Sequence, residues 1–423
     1  MRILRLGDRG TDVMEMQALL QKIGYNPGPI DGIFGVQTQQ AVRMFQQNNG
    51  LIADGIIGPN NYAALDRFMR GYDTYRIRPG DTLFMIAARF YTTVPRIIAA
   101  NPGIQPLNLQ IGQVITVPYG IDVVDTNIDY TYDIMERDIA ALKARYPFLQ
   151  IGIAGQSVLG RNLYYIRMGM GPNRVFYNGS HHSLEWPTTP LLMKFIENFS
   201  KAYVEGVNIS GYSPRDIWTQ STIDIMPMVN PDGVDLVLNG LTPDNPFYDQ
   251  LLMWNGGRMN FGEVWQANVR GVDLNHNYNA KWEESVASSR RMGIVGPGPT
   301  RFPGTAPESE PESRAVANLT RANNYRLVLA YHTQGQVIFW NFDDLATEEA
   351  RRIGELFAQV SGYQLAKAYG IASTGGYKDW FIKEYGRPGY TIEVGRGVNP
   401  ISITQFNMIY NNNIELLLLA AVV

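Results

Sequence analysis

RVFYNGSHHSLEWP, residues 174–187, is the stretch that decides the fold. Arg174 to Asn178 read as a short buried strand, and Pro187 introduces a helix expected over Pro190 to Tyr203. Between them lies a tight turn that carries His182 and Glu185, three residues apart. Open α/β sheets place their ligands at such strand ends. Imidazole nitrogen and carboxylate oxygen suit zinc, and a catalytic zinc takes three protein ligands with one position left open. A lone H-x-x-E is commonly a surface turn, so the third ligand has to come from elsewhere.

The run RLVLAYH, residues 326–332, supplies it: His332 ends an apolar strand that would deliver it to the same edge of the sheet. The chain has four histidines and no cysteine to compete for a metal. Thr222 to Met228 and Tyr390 to Val394 read as further buried strands, and Glu310 to Asn323 as a helix, which together make an α/β layer domain. Glu393 interrupts the apolar strand GYTIEVG (389–395). A charge buried there is costly unless it is paired or close to a metal, so Glu393 is a natural general base. RGVDLN (270–275) adds three groups: Arg270 could hold a developing oxyanion, Asp273 could orient a zinc histidine, and Asn275 could grip substrate. The Gly/Pro-rich stretch from Ser285 to Pro311 reads as a long, pocket-shaping loop.

At 423 residues the chain is long enough for two to four domains. Its 36 Lys+Arg and 39 Asp+Glu give a net charge of −3 spread along the chain, with no basic stripe to hold a phosphate backbone, so nucleic acid is not an expected partner. The absence of cysteine excludes disulfides and thiolate chemistry and leaves the redox compartment open. Met1 to Gly7 has no apolar run of signal-peptide length before Asp8 and Arg9. Ile414 to Val423 carries Glu415 and falls short of the ~20 apolar residues a membrane span needs, so it reads as a packed terminal helix.

Upstream the pattern is different. Val13, Met16, Leu20 and Ile23 fall at helical spacing, as do Ala41 and Phe45. Two related turns, Asp31-Gly32-Ile33-Phe34-Gly35 and Asp54-Gly55-Ile56-Ile57-Gly58, offer an Asp to cap amides, glycines for positive φ and an Ile to plug the core. LGDRGTDVMEMQALLQKIGY (6–25) and PGPIDGIFGVQTQQAVRMFQQNNGL (27–51) closely resemble the peptidoglycan-binding three-helix domain. Next comes a βααβ pattern: strands Tyr75–Ile77 and Val114–Pro118 around helices Leu83–Tyr91 and Val94–Ala100. RPGDTLFMIAARF (78–90), IIAANPGI (97–104) and LQIGQVITVP (109–118) resemble a LysM module. By that resemblance a glycan would lie along Gly80, Asp81 and Thr82 and the turn Asn101, Pro102, Gly103 and Ile104.

HSLEW (182–186), NPDG (230–233), RGVDLN, AYHTQ (330–334), GTAPESEPE (304–312), TGGYKDW (374–380) and YTIEVG follow the order of the zinc carboxypeptidase superfamily, which the chain resembles across 126–423. The resemblance implies one zinc per chain on His182, Glu185 and His332, with Glu393 as base and Arg270 as oxyanion residue. It further implies Asn275 as a substrate-carboxylate contact and Asp273 as the partner of His182. Two departures bear on specificity. His276 stands where digestive members follow the Asn with an Arg that fixes the substrate's C-terminal carboxylate. Their mobile tyrosine corresponds to Ile371, for which Tyr369 or Tyr377 could substitute.

The expected architecture is therefore multidomain: a small all-α three-helix domain (1–70), a βααβ LysM module (74–119) and an α/β catalytic domain with a mixed sheet flanked by helices (125–423). With wall-binding modules attached, the chain resembles bacterial γ-D-glutamyl-meso-diaminopimelate endopeptidases, some of which act in sporulation without an export signal. The expected partners are peptidoglycan glycan chains and stem peptides, at the cell wall or spore, with synthesis in the cytoplasm or forespore. His276, Tyr377, Lys378, Arg258 and Arg396 are the further candidates for reading a carboxylate-rich substrate. The rival readings are a conventional carboxypeptidase on protein C-termini and a non-catalytic wall-binding scaffold.

Overall fold

The computed structural model describes residues 2–423, apart from the side chains of Ile371 and Ala372. It divides into two contact-dense units, one of residues 1–149 with 197–205, the other of 150–196 with 206–423.

In the first unit, helices Thr11–Lys22, Val36–Asn48 and Pro59–Arg70 enclose a core of Leu20, Phe34, Phe45, Ile57 and Leu65. The two related turns are built by one repeated device. Asp31 accepts the Ile33 N–H at 2.9 Å, and buried Gln17 receives the Asp31 and Gly32 N–H groups at 3.1 and 2.9 Å. Asp54 accepts from Ile56 at 2.9 Å, and Gln46 receives Gly55 at 2.9 Å. Gly32 and Gly55 have φ of 71° and 77°, as the turns require. In the second turn an Ile, Ile57, is the buried plug as expected, whereas in the first it is Phe34, with Ile33 only half-buried. Strands β1 (Tyr72–Arg76) and β2 (Val114–Pro118) pair antiparallel around helices Leu83–Arg89 and Val94–Ala100, giving the βααβ unit.

The second unit is organised by an eight-stranded mixed sheet. Its strands are β3 (Gln150–Gln156), β4 (Asn162–Gly169), β5 (Asn173–Gly179), β6 (Ser221–Met226), β7 (Leu327–Thr333), β8 (Val337–Phe339), β9 (Gln364–Ala366) and β10 (Gly389–Val394). They lie in the order β3-β4-β6-β5-β7-β10-β8-β9. The centre, β6-β5-β7-β10, is parallel. Such strands are covered on both faces and read as continuous apolar runs. Alternation along β5 illustrates this. Phe176 packs with Tyr325 and Tyr377, at ring-centroid distances of 5.2 and 6.0 Å, while its neighbour Tyr177 sends its hydroxyl to the Leu417 carbonyl of the terminal helix Phe406–Val422.

Part of the expected loop from Ser285 is helical, Trp282–Arg291. Glu283 and Glu284 in its first turn and Arg290 and Arg291 in its last complement the helix dipole, outweighing the indifferent propensity of its serines. Ser289 then donates to the Arg301 carbonyl at 2.7 Å and pins the returning segment. No single helix among the described residues is long and apolar enough to cross a membrane.

Candidate active site

Three parallel strands end at one place. β5 runs into the turn that carries His182 and Glu185, β7 carries His332, and β10 carries Glu393 in direct register with His332. Neighbouring strands thus set two chemically different side chains side by side, at the carboxyl ends where an α/β sheet opens. His182, His332 and Glu393 line a cavity of about 190 Å³, together with Asp273, Asn275, His276, Arg301, Lys378 and Asp379.

Within it, His182 Nδ1 lies 2.9 Å from one oxygen of Glu185 and His332 Nδ1 lies 2.7 Å from the other. The candidate ligand atoms all fall within 4.8 Å of one another, in the one such cluster among the described residues. Each histidine aims the same ring nitrogen at the carboxylate, so two imidazoles and one carboxylate converge as a three-ligand zinc site requires. His182 turns its other nitrogen to Asp273 at 3.0 Å, and Asp273 in turn accepts the Arg301 N–H at 2.8 Å. That partner fixes ring orientation and tautomer. Asn399 donates to Glu185 at 3.4 Å and to the Thr333 carbonyl at 2.9 Å.

The charges are strongly coupled. Burial opposes ionisation of Glu185, but His182 and His332 outweigh it and draw the carboxyl down to about 2. Burial likewise works against Asp273, and His182, His276 and the Arg301 N–H hold it far below the carboxylate range. For His182 burial disfavours the cation, yet Glu185 and Asp273 raise it well above its usual value. Glu393 has no such help: burial and then the Glu185 charge push its carboxyl well above normal.

Not every expected residue faces this cavity. Arg270 is exposed, 3.7 Å from Glu310, and is not among the lining residues; Arg301 is the guanidinium-bearing residue that is. Arg258, exposed and bonded to the Asn255 carbonyl at 3.1 Å, and Arg396 do not line it either. Tyr377 is fully buried, its hydroxyl 2.9 Å from Thr320 Oγ1, because the first turn of helix Tyr377–Tyr385 points it into the core. It is no substitute for a mobile tyrosine. Tyr369 is exposed, whereas the side chain of Ile371 lies outside the described residues. Lys378 lines the cavity, but its ammonium is held by the Asn341 carbonyl at 2.6 Å and by Asp379. Asn275 accepts the Tyr377 N–H at 3.0 Å, and His276 Nδ1 lies 3.0 Å from the Thr374 carbonyl. A Cβ on Gly375 would come within 2.6 Å of the His276 carbonyl oxygen, so the double glycine lets this segment close over the 275–276 turn.

Arg301, His181 and Asn399 escaped the sequence reading. His181 stacks on His332 at 5.7 Å and bonds Tyr278 at 2.9 Å; its place in a His-His doublet was the one available signal.

In the βααβ unit, Asp81 and Thr82 line a separate groove of about 550 Å³ with Phe84, Leu107 and Leu109. The turn 101–104 does not line it. Asn101 instead bonds the Thr116 N–H and carbonyl at 2.8 and 2.6 Å, and Ile104 packs against the unit's core. The segment 106–109 lines the groove instead.

A mixed α/β sheet that gathers two histidines and a glutamate at its parallel strand ends, with a further buried carboxylate beside them, is the architecture of a metal-dependent hydrolase. The zinc carboxypeptidase profile matches residues 135–414, and the chain belongs to that family of zinc-dependent peptidases. A peptidoglycan binding domain profile matches 9–65 and a LysM domain profile 75–118. Gamma-D-glutamyl-L-diamino acid endopeptidase 1 of Lysinibacillus sphaericus is 41% identical over 394 residues, covering 81% of this chain and 98% of the relative. The YqgT protein of Bacillus subtilis, which is uncharacterised, is 36% identical, covering 67% and 74%. The fold is similar to that of bovine thrombin-activatable fibrinolysis inhibitor, with a TM-score of 0.52 at 19% identity, covering 69% of this chain and 95% of that one.

Proposed function

We propose that the chain hydrolyses the γ-D-glutamyl to meso-diaminopimelate bond of peptidoglycan stem peptides. The observation that carries this reading is the similarity to an endopeptidase named for γ-D-glutamyl-L-diamino acid bonds, which extends over 98% of that relative. The L centre of meso-diaminopimelate meets that description.

His182 and His332, through Nδ1, and the carboxylate of Glu185 would hold the zinc. When bound, the ion supplies a Lewis acid for the scissile carbonyl and for water. Glu393 takes a proton from the attacking water and returns it to the leaving amine as the C–N bond breaks. Asp273 keeps the His182 ring in place. Asn275 offers its amide nitrogen to substrate, and the half-buried His276 offers one directional hydrogen bond in place of a guanidinium fork. Arg301 supplies positive charge for the α-carboxylate of D-glutamate.

The three-helix region (1–70) and the LysM region (74–119) deliver this catalytic region (125–423) to peptidoglycan in the cell wall or spore; the glycan strand lies in the Asp81 groove, and nucleic acid is no partner. Purified L-Ala-γ-D-Glu-meso-diaminopimelate, set against an α-linked peptide ending in a hydrophobic or basic residue, tests the specificity. The tripeptide should be cleaved faster, and preference for the α-linked peptide would return the chain to conventional carboxypeptidase activity.

A further inference from the structure

The first unit contains another groove, of about 850 Å³, distinct from the one beside Asp81. That volume is within the roughly 300 to 1,000 Å³ of small-ligand sites. It lies where the three-helix bundle meets the βααβ unit. Phe68 and Arg67 of helix Pro59–Arg70 form one side, and Phe90, Tyr91 and Tyr119 the other. The join is ordered: the Tyr119 N–H donates to the Gly71 carbonyl at 2.8 Å, and its ring stacks on Phe68 at 5.4 Å and lies 5.8 Å from Phe90. A row of three aromatic rings therefore runs from one module into the other.

Three cationic residues line the groove, and two are engaged. Lys22 pairs with Asp125 at 2.6 Å, and Arg89 donates to the Tyr75 hydroxyl at 2.6 Å. Arg67 is different. Its guanidinium sits 4.7 Å from the Phe68 centroid and reaches Asn49 at 3.3 Å, while its Nε is buried with no partner among the described residues. Arg67 pairs with no carboxylate among the described residues, so the outer nitrogens of its guanidinium, rather than the buried Nε, are the groups that can meet an anionic oxygen in the groove. Asn48 and Asn49 add amide groups at the same wall.

Aromatic faces suit the C–H faces of sugar rings, side-chain amides suit acetamido groups, and a guanidinium suits a carboxylate. One polymer presents all three: a glycan of alternating N-acetylglucosamine and N-acetylmuramic acid from which the stem peptides have been removed, since only then does the muramic lactyl group end in a free carboxylate. We propose that this junction groove binds such a stem-free strand, with its sugars against the aromatic row of Phe68, Tyr119 and Phe90 and the freed muramic carboxylate on Arg67. The ligand class rests on the peptidoglycan reading above, but the site does not depend on which bond the catalytic region cleaves. A strand held across the join makes the two modules one continuous site instead of two tethered ones.

The test uses the full chain and glycan strands stripped of stem peptides by an amidase, so that the catalytic cavity has no peptide to hold. Chitin, which has the sugars but not the carboxylate, is the neutral comparison. Arg67→Ala should weaken co-sedimentation with the stripped strands about tenfold and leave chitin binding intact. Asn48→Trp, at an exposed position, should fill the groove and weaken the stripped strands whether or not Arg67→Ala folds. Circular dichroism and melting temperature report folding. Unchanged affinity of a folded Asn48→Trp would overturn the site, and equal losses on both polymers in Arg67→Ala would overturn the carboxylate contact. Failure of the unaltered chain to cleave the tripeptide would sink the bond assignment alone.

Discussion

The site around Glu185 and the groove beside Asp81 are built in opposite ways. Glu185 and His332 are 3% and 1% exposed, whereas Phe84 and Leu107 on the groove's rim are 76% and 103% exposed. In the cavity, charges sit in a low dielectric and are satisfied by one another, so position is everything and strand register supplies it. On the rim, apolar surface stands in water and gains by being covered. Changes in the cavity should therefore alter chemistry steeply. Changes on the rim should alter affinity gently.

The steepest break is His332→Ala. With one of three ligands gone, zinc content should fall to near zero and turnover with it; full occupancy by metal analysis would refute the ligand assignment. Glu393→Gln separates chemistry from metal binding, since it lies beside the ligands without belonging to the cluster. It should keep zinc and lose about 10² to 10⁴ in kcat, the usual worth of a general base, and a loss of only a few-fold would contradict the role.

Each unit also buries one carboxyl that burial pushes up to about 7, Asp138 in the first and Glu312 in the second. Glu312 accepts the Val158 N–H at 3.0 Å and an Asn268 N–H at 3.2 Å, while Asp138 bonds the Tyr130 hydroxyl at 2.6 Å. Because the folded pKa lies above the unfolded value of about 4, the native state binds more protons between about pH 4 and 7, and stability falls as pH rises through that window. Each group should cost on the order of 4 kcal/mol by pH 8. Denaturant melts of Asp138→Asn and Glu312→Gln at pH 5 and 8 should show a flatter pH dependence than the unaltered chain. A steeper one would mean that these carboxyls are already ionised in the fold.

Asp273→Asn probes the cavity from one step further out. The amide keeps the shape but loses the charge facing His182, and outer partners of metal histidines are typically worth about 10- to 100-fold in affinity. Competition with a chelator reads this directly, and unchanged zinc affinity would reduce Asp273 to a packing residue.

The sequence was most legible where function follows from local pattern. Strand, tight turn and helix around His182 and Glu185 are contiguous, and His332 and Glu393 each end or interrupt an apolar run whose period is unmistakable. Arg270 and Tyr377 misled because a motif names a residue without saying which way it points. Tyr377 heads a helix whose first turn faces the core, and Arg270 leaves the turn toward Glu310. Arg301 and Asn399 were invisible because they reach the cavity from loops without periodicity, Asn399 meeting Glu185 across 214 residues. Asn101 looked like a ligand-facing turn residue, and only the strand beside it shows that its amide is spent on Thr116.

The gentlest effect belongs to the exposed rim. Phe84 follows the cap of helix Leu83–Arg89, where Thr82 accepts the Met85 N–H at 3.2 Å, and its ring makes little use of the unit's core. Phe84→Ala therefore removes no buried contact or cap, and the unfolding free energy should stay within about 0.5 kcal/mol of the unaltered chain, as is typical of surface changes, with the melting temperature correspondingly little moved. What it removes is an aromatic face beside Asp81 and Thr82, so affinity for N-acetylglucosamine oligomers, measured by calorimetry on the full chain, should fall by about tenfold, or about 1.4 kcal/mol. The two readouts moving apart is the signature of a surface held open for a ligand. If instead the melting temperature fell while sugar affinity held, Phe84 would be part of the fold, and the contrast between a buried chemical cavity and an exposed adhesive groove would collapse at its weaker end.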